Sequence, residues 1–341
     1  MGGGIPGLLL RRLLVAVPIL LAVSVLLFCV LRLLPLDPAA MSMPPTATRA
    51  EIDAKRAEMG LDRPLPVQYG IWLDDVLHGD FGTSVQYRRE AGAVVAQALP
   101  ATVELAALAM GVATVLGLGG GLLLFRFRGR VLEAAGDTGA VLAMSVPEFM
   151  WALLFLLGFG VLWPVLPFVG RVSAAGMGSA GGFFLLPSLV RGNWSAFRDA
   201  FAHLVLPATA LGLAFAPPLA RVLRSSLLDA YAEDYIRLAR LRGLGETAIL
   251  LRHALRNAIL PALTLMGVQF GFLFGGTLLV EVIYSFPGLG NLMVDAVRNV
   301  DLPIIQAVSL TYCVTVLLIN TTVDAAYLAL DPRLARQGTH R

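Results

Sequence analysis

Charge-free apolar runs near or above the length of a bilayer-crossing helix constrain this chain more than any other feature. They occupy residues 13–31, 105–125, 149–169, 204–220, 258–280 and 302–323. A helix rising about 1.5 Å per residue needs about 20 apolar residues to cross the hydrocarbon of a bilayer. The third run extends back to near Thr138, which places Glu148 inside it, and the fourth, a little short, is lengthened by its flanks. The expectation is an all-α, polytopic membrane protein with six transmembrane helices. Composition agrees: 57% of residues are hydrophobic and 14% charged, whereas a soluble domain carries roughly 25% charged residues to solvate its surface.

The first run follows Arg11-Arg12, as a signal peptide would begin. It outruns an h-region of about 7–15 residues and meets Arg32-Leu33-Leu34-Pro35 without an A-x-A cleavage pattern, so it reads as a retained helix. Orientation follows from arginine, because Lys55 is the only lysine. Arg126, Arg128 and Arg130 lie between runs two and three. Arg221, Arg224, Arg237, Arg240, Arg242, Arg252 and Arg256 lie between runs four and five. With Arg11, Arg12, Arg333, Arg336 and Arg341 they place 15 basic residues on one side, which the positive-inside rule assigns to the cytoplasm. Both termini are then cytoplasmic, and the net charge of +3 marks membrane orientation rather than nucleic-acid binding.

Three regions follow: an N-terminal tail and first helix (1–34), an extracytoplasmic segment (35–99), and a five-helix core (100–341) with a cytoplasmic loop at 221–257. The extracytoplasmic segment holds nine acids against six bases. It predicts an amphipathic helix over 48–59 and an extended turn at Asp62-Arg63-Pro64-Leu65-Pro66. A second outer segment, 170–202, is rich in Gly, and its apolar stretch 176–190 reads as a re-entrant or interfacial loop rather than a seventh span. Trp72, Trp151, Trp163 and Trp194 fall outside or near the outer boundary, where indole rings favour the interface. Cys29 and Cys313 lie inside apolar runs and read as packing residues rather than a disulfide or metal pair.

The loop at 221–257 is the most informative stretch. It reads Arg224-Ser225-Ser226-Leu227-Leu228-Asp229, then Glu233-Asp234-Tyr235-Ile236-Arg237-Leu238-Ala239-Arg240-Leu241-Arg242-Gly243-Leu244-Gly245, then Arg252-His253-Ala254-Leu255-Arg256-Asn257-Ala258-Ile259-Leu260-Pro261. Acids at Glu233 and Asp234 suit a helix N-terminus, and bases at Arg240 and Arg242 suit its C-terminus. Gly243 then closes the helix. Ile236, Ala239 and Leu244 give it a modest apolar edge, suited to a groove on another protein.

This stretch resembles the coupling loop, or EAA loop, of ABC importer permeases, the binding-protein-dependent transport system inner-membrane components. More narrowly it is similar to the oligopeptide, dipeptide and nickel branch. Leu227 stands for the usual Met, and Arg237-Leu238-Ala239 replaces a literal Glu-Ala-Ala. Further matches run along the chain: Leu31-Arg32-Leu33-Leu34-Pro35-Leu36-Asp37-Pro38, Gly60-Leu61-Asp62-Arg63-Pro64-Leu65-Pro66-Val67-Gln68-Tyr69, Gly79-Asp80-Phe81-Gly82-Thr83-Ser84, Leu99-Pro100-Ala101-Thr102-Val103-Glu104-Leu105, Phe286-Pro287-Gly288-Leu289-Gly290 and Leu330-Asp331-Pro332-Arg333. The resemblance implies a bacterial inner-membrane permease for di/oligopeptides, nickel or a nickel chelate. Its partners would be a second homologous permease, two cytoplasmic ATP-binding subunits and an extracytoplasmic substrate-binding protein. It assigns ATPase coupling to Asp234, Tyr235, Arg237, Ala239, Arg240, Gly243, Leu244 and Gly245. Met43-Pro44-Pro45-Thr46 and Arg240-Leu241-Arg242-Gly243 look slightly more like nickel-branch members.

The chain lacks the Gly-Lys-Ser/Thr of a P-loop, since Lys55 follows Ala54, so ATP and Mg belong on partner ATPases and no cofactor or metal is expected here. No catalytic residue is expected either. A membrane protease would need H-E-x-x-H or G-x-S-x-G, and Met177 before Ser179 breaks the latter. His78, His203, His253 and His340 are scattered. An exporter permease would work without a binding protein, and an ion-coupled carrier without ATPases. Ionisable or polar groups at membrane depth are costly and therefore candidates for function. Glu104, Glu148, Glu281, Asn320 and Asp324 qualify, as translocation-pathway or interhelix polar groups, with structural roles favoured over cargo contact. Gly117-Leu118-Gly119-Gly120-Gly121 and Gly275-Gly276 are expected to permit close helix packing.

Overall fold

A computed structural model of the chain describes residues 5–33, 37, 39–40, 43, 46–58, 60–173 and 182–330. Outside the described residues lie Arg333, Arg336 and Arg341, His340, Asp331 and Pro332, Leu34-Pro35-Leu36, Pro38, Pro44-Pro45, Met59 and the stretch 174–181. In chain order the helices are α1 (Ile5–Leu33), α2 (Arg49–Glu58), α3 (Leu65–Leu77), α4 (Ala91–Arg126), α5 (Val131–Ser145), α6 (Glu148–Phe155, continued by a π-wound segment Leu156–Leu162), α7 (Leu185–Val190), α8 (Trp194–Ala232), α9 (Asp234–Leu241), α10 (Glu246–Ile283), α11 (Leu289–Arg298) and α12 (Leu302–Leu330). Among the described residues the one β pairing is an isolated bridge between Thr83 and Glu90.

Among the described residues α1, α4, α8, α10 and α12 are long and apolar enough to cross a membrane, and α5–α6 makes a sixth crossing when the pair counts as one span. The third run is therefore not the continuous helix expected from about Thr138 to Val169. It bends by 100° between α5 and α6, and helical winding ends at Leu162. Proline is the cause: it lacks an N–H and pushes its predecessor out of the helical region. Val146 sits at φ −98°, ψ 121° and Pro147 at φ −57°, ψ 150°. Glu148 then opens α6 instead of lying mid-span. The short fourth run also grows, because α8 has 39 residues; at about 1.5 Å each that is well beyond a hydrocarbon core of about 30 Å.

The spans face outward with large aliphatic and aromatic residues, among them Leu26, Val115, Leu123, Phe272 and Leu318, all exposed. Inward, Leu105, Leu204, Leu211, Leu219 and Phe274 are fully buried. Helix α4 approaches α8 closely. A Cβ on Gly117 would lie 2.6 Å from Leu219 Cβ and 2.9 Å from the Ala216 carbonyl, and one on Gly121 would lie 2.7 Å from the Ala220 carbonyl. Four-residue spacing puts these two glycines on one helix face. Gly119 faces open space, as does Gly275, whereas Gly276 packs beside Glu148.

Thr48 and Glu51 form a reciprocal capping box at the start of α2, with Thr48 N donating to Glu51 Oε2 at 2.7 Å and Glu51 N to Thr48 Oγ1 at 3.4 Å. The turn expected over Asp62–Pro66 spans only Gly60 to Arg63, because Leu65 and Pro66 already begin α3. Tyr69 of α3 meets Phe28 of α1 edge-on and Trp72 meets it at a tilt, with ring centroids 5.5 and 5.7 Å away. Cys29 is exposed on α1 and Cys313 half-buried on α12, and both are free thiols.

Candidate functional site

The end of the molecule rich in arginine is built on the extension of α8. After Ala232 the chain turns through Glu233, whose extended backbone (φ −76°, ψ 148°) caps α9. Gly243 ends this helix at φ +76°, a left-handed conformation that L side chains seldom adopt. Gly243 N donates to the Arg240 carbonyl at 2.9 Å and Leu244 N to the Ala239 carbonyl at 3.3 Å. Those two bonds define a Schellman closure and satisfy carbonyls the helix would otherwise leave open.

The two faces of α9 have different roles. Ile236 and Ala239 are buried in a satellite core with Phe125, Leu223, Leu227, Ile249 and Ala254. Leu238, Leu241 and Leu244 are exposed, Leu241 at 79%, and Asp234, Arg237, Arg240, Arg242, Gly243 and Gly245 are exposed with them. The apolar edge anticipated at Ile236, Ala239 and Leu244 is thus divided: its first two members anchor the helix to its own chain, and only Leu244 faces outward. Leu238 and Leu241 complete the outward face, and sequence reasoning missed them because the period of so short a helix leaves two leucine-bearing faces to choose from.

Electrostatics fix the position of α9. Arg240 Nε donates to Glu246 Oε1 at 2.7 Å, joining the last turn of α9 to the first residue of α10. That hydrogen bond, reinforced by the charge of Glu246, raises the Arg240 pKa. Asn257 Nδ2 donates to the Tyr235 hydroxyl at 3.3 Å. Arg224, on α8, binds Asp137 at 2.9 Å and also Glu133, both on α5.

The polar groups expected at membrane depth do not converge. Glu104 is buried; its Oε2 accepts from Arg171 Nη2 at 2.6 Å, and its Oε1 from the N–H groups of Phe184 and Leu185 at 2.6 and 2.8 Å. Glu281, fully buried, accepts from Gly290 N at 2.6 Å and Asn291 N at 3.3 Å at the start of α11. Thr102 Oγ1 accepts from Leu289 N at 2.8 Å in the same turn. Asp324 pairs with Arg12 of α1, and Asn320 lies against Gly271 of α10. Glu148 is half-buried beside Gly276. The carboxyl oxygens of Glu104 and Glu281 accept from the N–H groups at the starts of α7 and α11, donors that a helix start leaves without an internal partner. Sequence reasoning missed two partners: Arg171, and Asp301, which is buried and accepts from Ser84 Oγ at 2.5 Å and Gln86 N at 3.1 Å.

Comparison with known proteins agrees with this architecture. Residues 95–336 match the model of the binding-protein-dependent transport system inner membrane component. Residues 7–106 match that of the N-terminal part of such membrane components. The chain is 38% identical over 325 residues to the glutathione transport system permease protein GsiC of Salmonella choleraesuis (strain SC-B67), covering 95% of this chain and 97% of that one. It is 36% identical, with the same coverage, to GsiC of Escherichia coli (strain K12). Among solved structures it is similar to the MetNI methionine ABC transporter in an inward-facing conformation, with a TM-score of 0.52 at 16% identity, over 70% of this chain and 96% of that one. That likeness concerns the fold.

Proposed function

We propose a function from one premise: the chain belongs to the family of binding-protein-dependent transport system inner membrane components, and is an ABC importer permease subunit of a bacterial inner membrane. Its arginine-rich end faces the cytoplasm, as do both termini, because the basic residues gather in the α4–α5 turn and in the loop that carries α9. It pairs with a second, homologous permease. Two cytoplasmic ATP-binding subunits hold ATP and Mg, and an extracytoplasmic binding protein delivers cargo. The cargo is a short peptide or peptide-like solute. The named function of the GsiC relatives, glutathione transport, supports a peptide over nickel or a nickel chelate.

One observation carries the coupling role. Helix α9 is locked to its own chain along Ile236 and Ala239, and presents Leu238, Leu241 and Leu244 among Arg237 and Arg242 on its free face. A short rigid helix with an exposed apolar face flanked by charge fits a groove on a partner. In this reading Asp234, Tyr235, Arg237, Ala239, Arg240, Gly243, Leu244 and Gly245 shape the ATPase-docking element. Ala239 acts from inside, as an anchor of the helix rather than a contact.

Leu241→Asp tests this without disturbing the satellite core. The reconstituted importer should lose at least about tenfold in ATP-driven uptake, the scale of a lost interface anchor, and the ATPases should copurify weakly. Full uptake with normal copurification would overturn the assignment. Isothermal titration of the partner binding protein with glutathione, other short peptides, nickel and nickel chelates tests cargo, and binding of nickel species alone would reject the peptide reading.

A further inference from the structure

Around Tyr231, in the last turn of α8, four elements meet. The guanidinium carbon of Arg240 (α9) lies 5.5 Å from the Tyr231 ring centroid, and that of Arg128, in the turn after α4, lies 5.4 Å from the same centroid. Arg128 is also 4.4 Å from the ring of Phe125, which itself sits 4.7 Å from Tyr231. Arg128 Nη1 further donates to the Phe125 carbonyl at 3.3 Å at the end of α4. Glu246, the first residue of α10, takes the Arg240 guanidinium at 2.7 Å. Two cations drawn to one ring would repel each other, and Glu246 offsets that repulsion while the ring's negative faces hold both. The ring is thus the shared contact of α9, the α4–α5 turn and α8.

We propose that Tyr231 and Arg128 are positioning residues for transport: they pass displacement of α9 to α4 and, through the Arg224 ion pairs with Glu133 and Asp137, to α5. This rests on the importer reading and adds to it a second loop, the α4–α5 turn, as part of the coupling machinery. The chain of contacts is physical rather than statistical. It has side chains in direct contact, two of them planar cations whose orientation depends on the ring. The satellite core beneath it, with Phe125 and Ile236 nearly or fully buried, lets the assembly move as one body.

The test uses the complete importer in proteoliposomes, with both permeases, ATPases and binding protein, and glutathione as the probe cargo. The measured quantity is cargo imported per ATP hydrolysed. Tyr231→Leu should lower that ratio about fivefold, the scale of losing two partly exposed cation–π contacts, with ATPases still bound. Tyr231→Phe keeps the ring and should keep the ratio. Arg128→Gln, at an exposed position, should lower it about twofold on its own and by less than that in the Tyr231→Leu background, where only its contacts with Phe125 remain to be lost. An unchanged ratio in Tyr231→Leu, an equal loss in Tyr231→Phe, or full additivity with Arg128→Gln would each overturn the proposal. A wild-type complex that imports neither glutathione nor other short peptides would instead reject the cargo reading, and one that imports nothing on ATP would reject the importer reading itself.

Discussion

At the scale of single residues, the buried acids Glu104 and Glu281 are held by backbone N–H groups at the starts of other helices. Glu281 shows how tightly. A Cβ on Gly288 would lie 2.5 Å from its carboxylate, and one on Gly290 would lie 2.4 Å from Leu278 Cα. The Phe286-Pro287-Gly288-Leu289-Gly290 stretch is therefore glycine-bearing because α11 starts on top of a carboxylate. Glu281→Ala strands the N–H groups of Gly290 and Asn291 and should destabilise by about 1–3 kcal/mol. Gly288→Ala should do so by a similar amount through overpacking, about 1–3 kcal/mol. The double variant should lose less than the sum, since removing the carboxylate frees the space the methyl needs. Thermal melting of the detergent-solubilised permease, followed by gel filtration, reads this directly, and strict additivity would show that the two residues do not share a site. Sequence reasoning found Glu281 and Glu104 by their cost in a membrane but not their roles. The partner of Glu104, Arg171, is 67 residues away, and a third buried acid, Asp301, meets Ser84 across 217 residues, whereas Glu281 binds N–H groups 9 and 10 residues on, beyond the end of its own helix. No local pattern records such pairings.

At the scale of helices, hydropathy located each of the five helices that are long and apolar enough to cross a membrane among the described residues, and the bent α5–α6 pair, while the ends and the break were set by chemistry that hydropathy averages away. Pro147 stood in plain view, yet the run around it is apolar enough to hide the bend between α5 and α6. The glycine cluster in α4 was legible as a packing feature, but the face it uses was not. Gly117 and Gly121 press on α8, and Gly119 meets nothing within 4 Å. Gly117→Val should therefore push α4 off Leu219 and Ala216, destabilising by about 1–3 kcal/mol or preventing accumulation. Gly119→Val should be tolerated within about 0.5 kcal/mol, as an outward apolar residue facing lipid. Expression and melting of the two variants side by side give the comparison. Equal damage from both would mean that helix propensity, and not contact with α8, governs the cluster.

For the assembly of helices, α1 is the least embedded of the five continuous spans among the described residues, with 11% of its apolar window buried. It is tied at two places. Near its end Phe28 meets Tyr69 and Trp72, Ser24 shares a 2.8 Å hydrogen bond with the Tyr69 hydroxyl, and Trp72 in turn donates to Gln306 of α12 at 3.1 Å. Near its start Arg12 pairs with Asp324 of α12. Aromatic and aliphatic contact alone gives little preference for protein over lipid, since lipid tails are as apolar as leucine, so the polar tie matters more than its single pair suggests. Arg12→Gln or Asp324→Asn alone strands a charge beside hydrocarbon, whereas the double variant strands none. Each single change should weaken attachment of α1 by about 1–3 kcal/mol, less than for a fully buried pair, because the side chains are 42% and 34% exposed. The double variant should lose less than either, and the exchange Arg12→Asp with Asp324→Arg should recover most of the attachment. A protease site inserted between α1 and α2 makes this measurable: after cleavage the α1 fragment should co-elute with the remaining helices in the parent and the exchanged pair, and dissociate in the single variants. Co-elution in every variant would place the hold on α1 entirely at the aromatic end, and the Arg12–Asp324 pair would then contribute nothing to how the first helix joins the core.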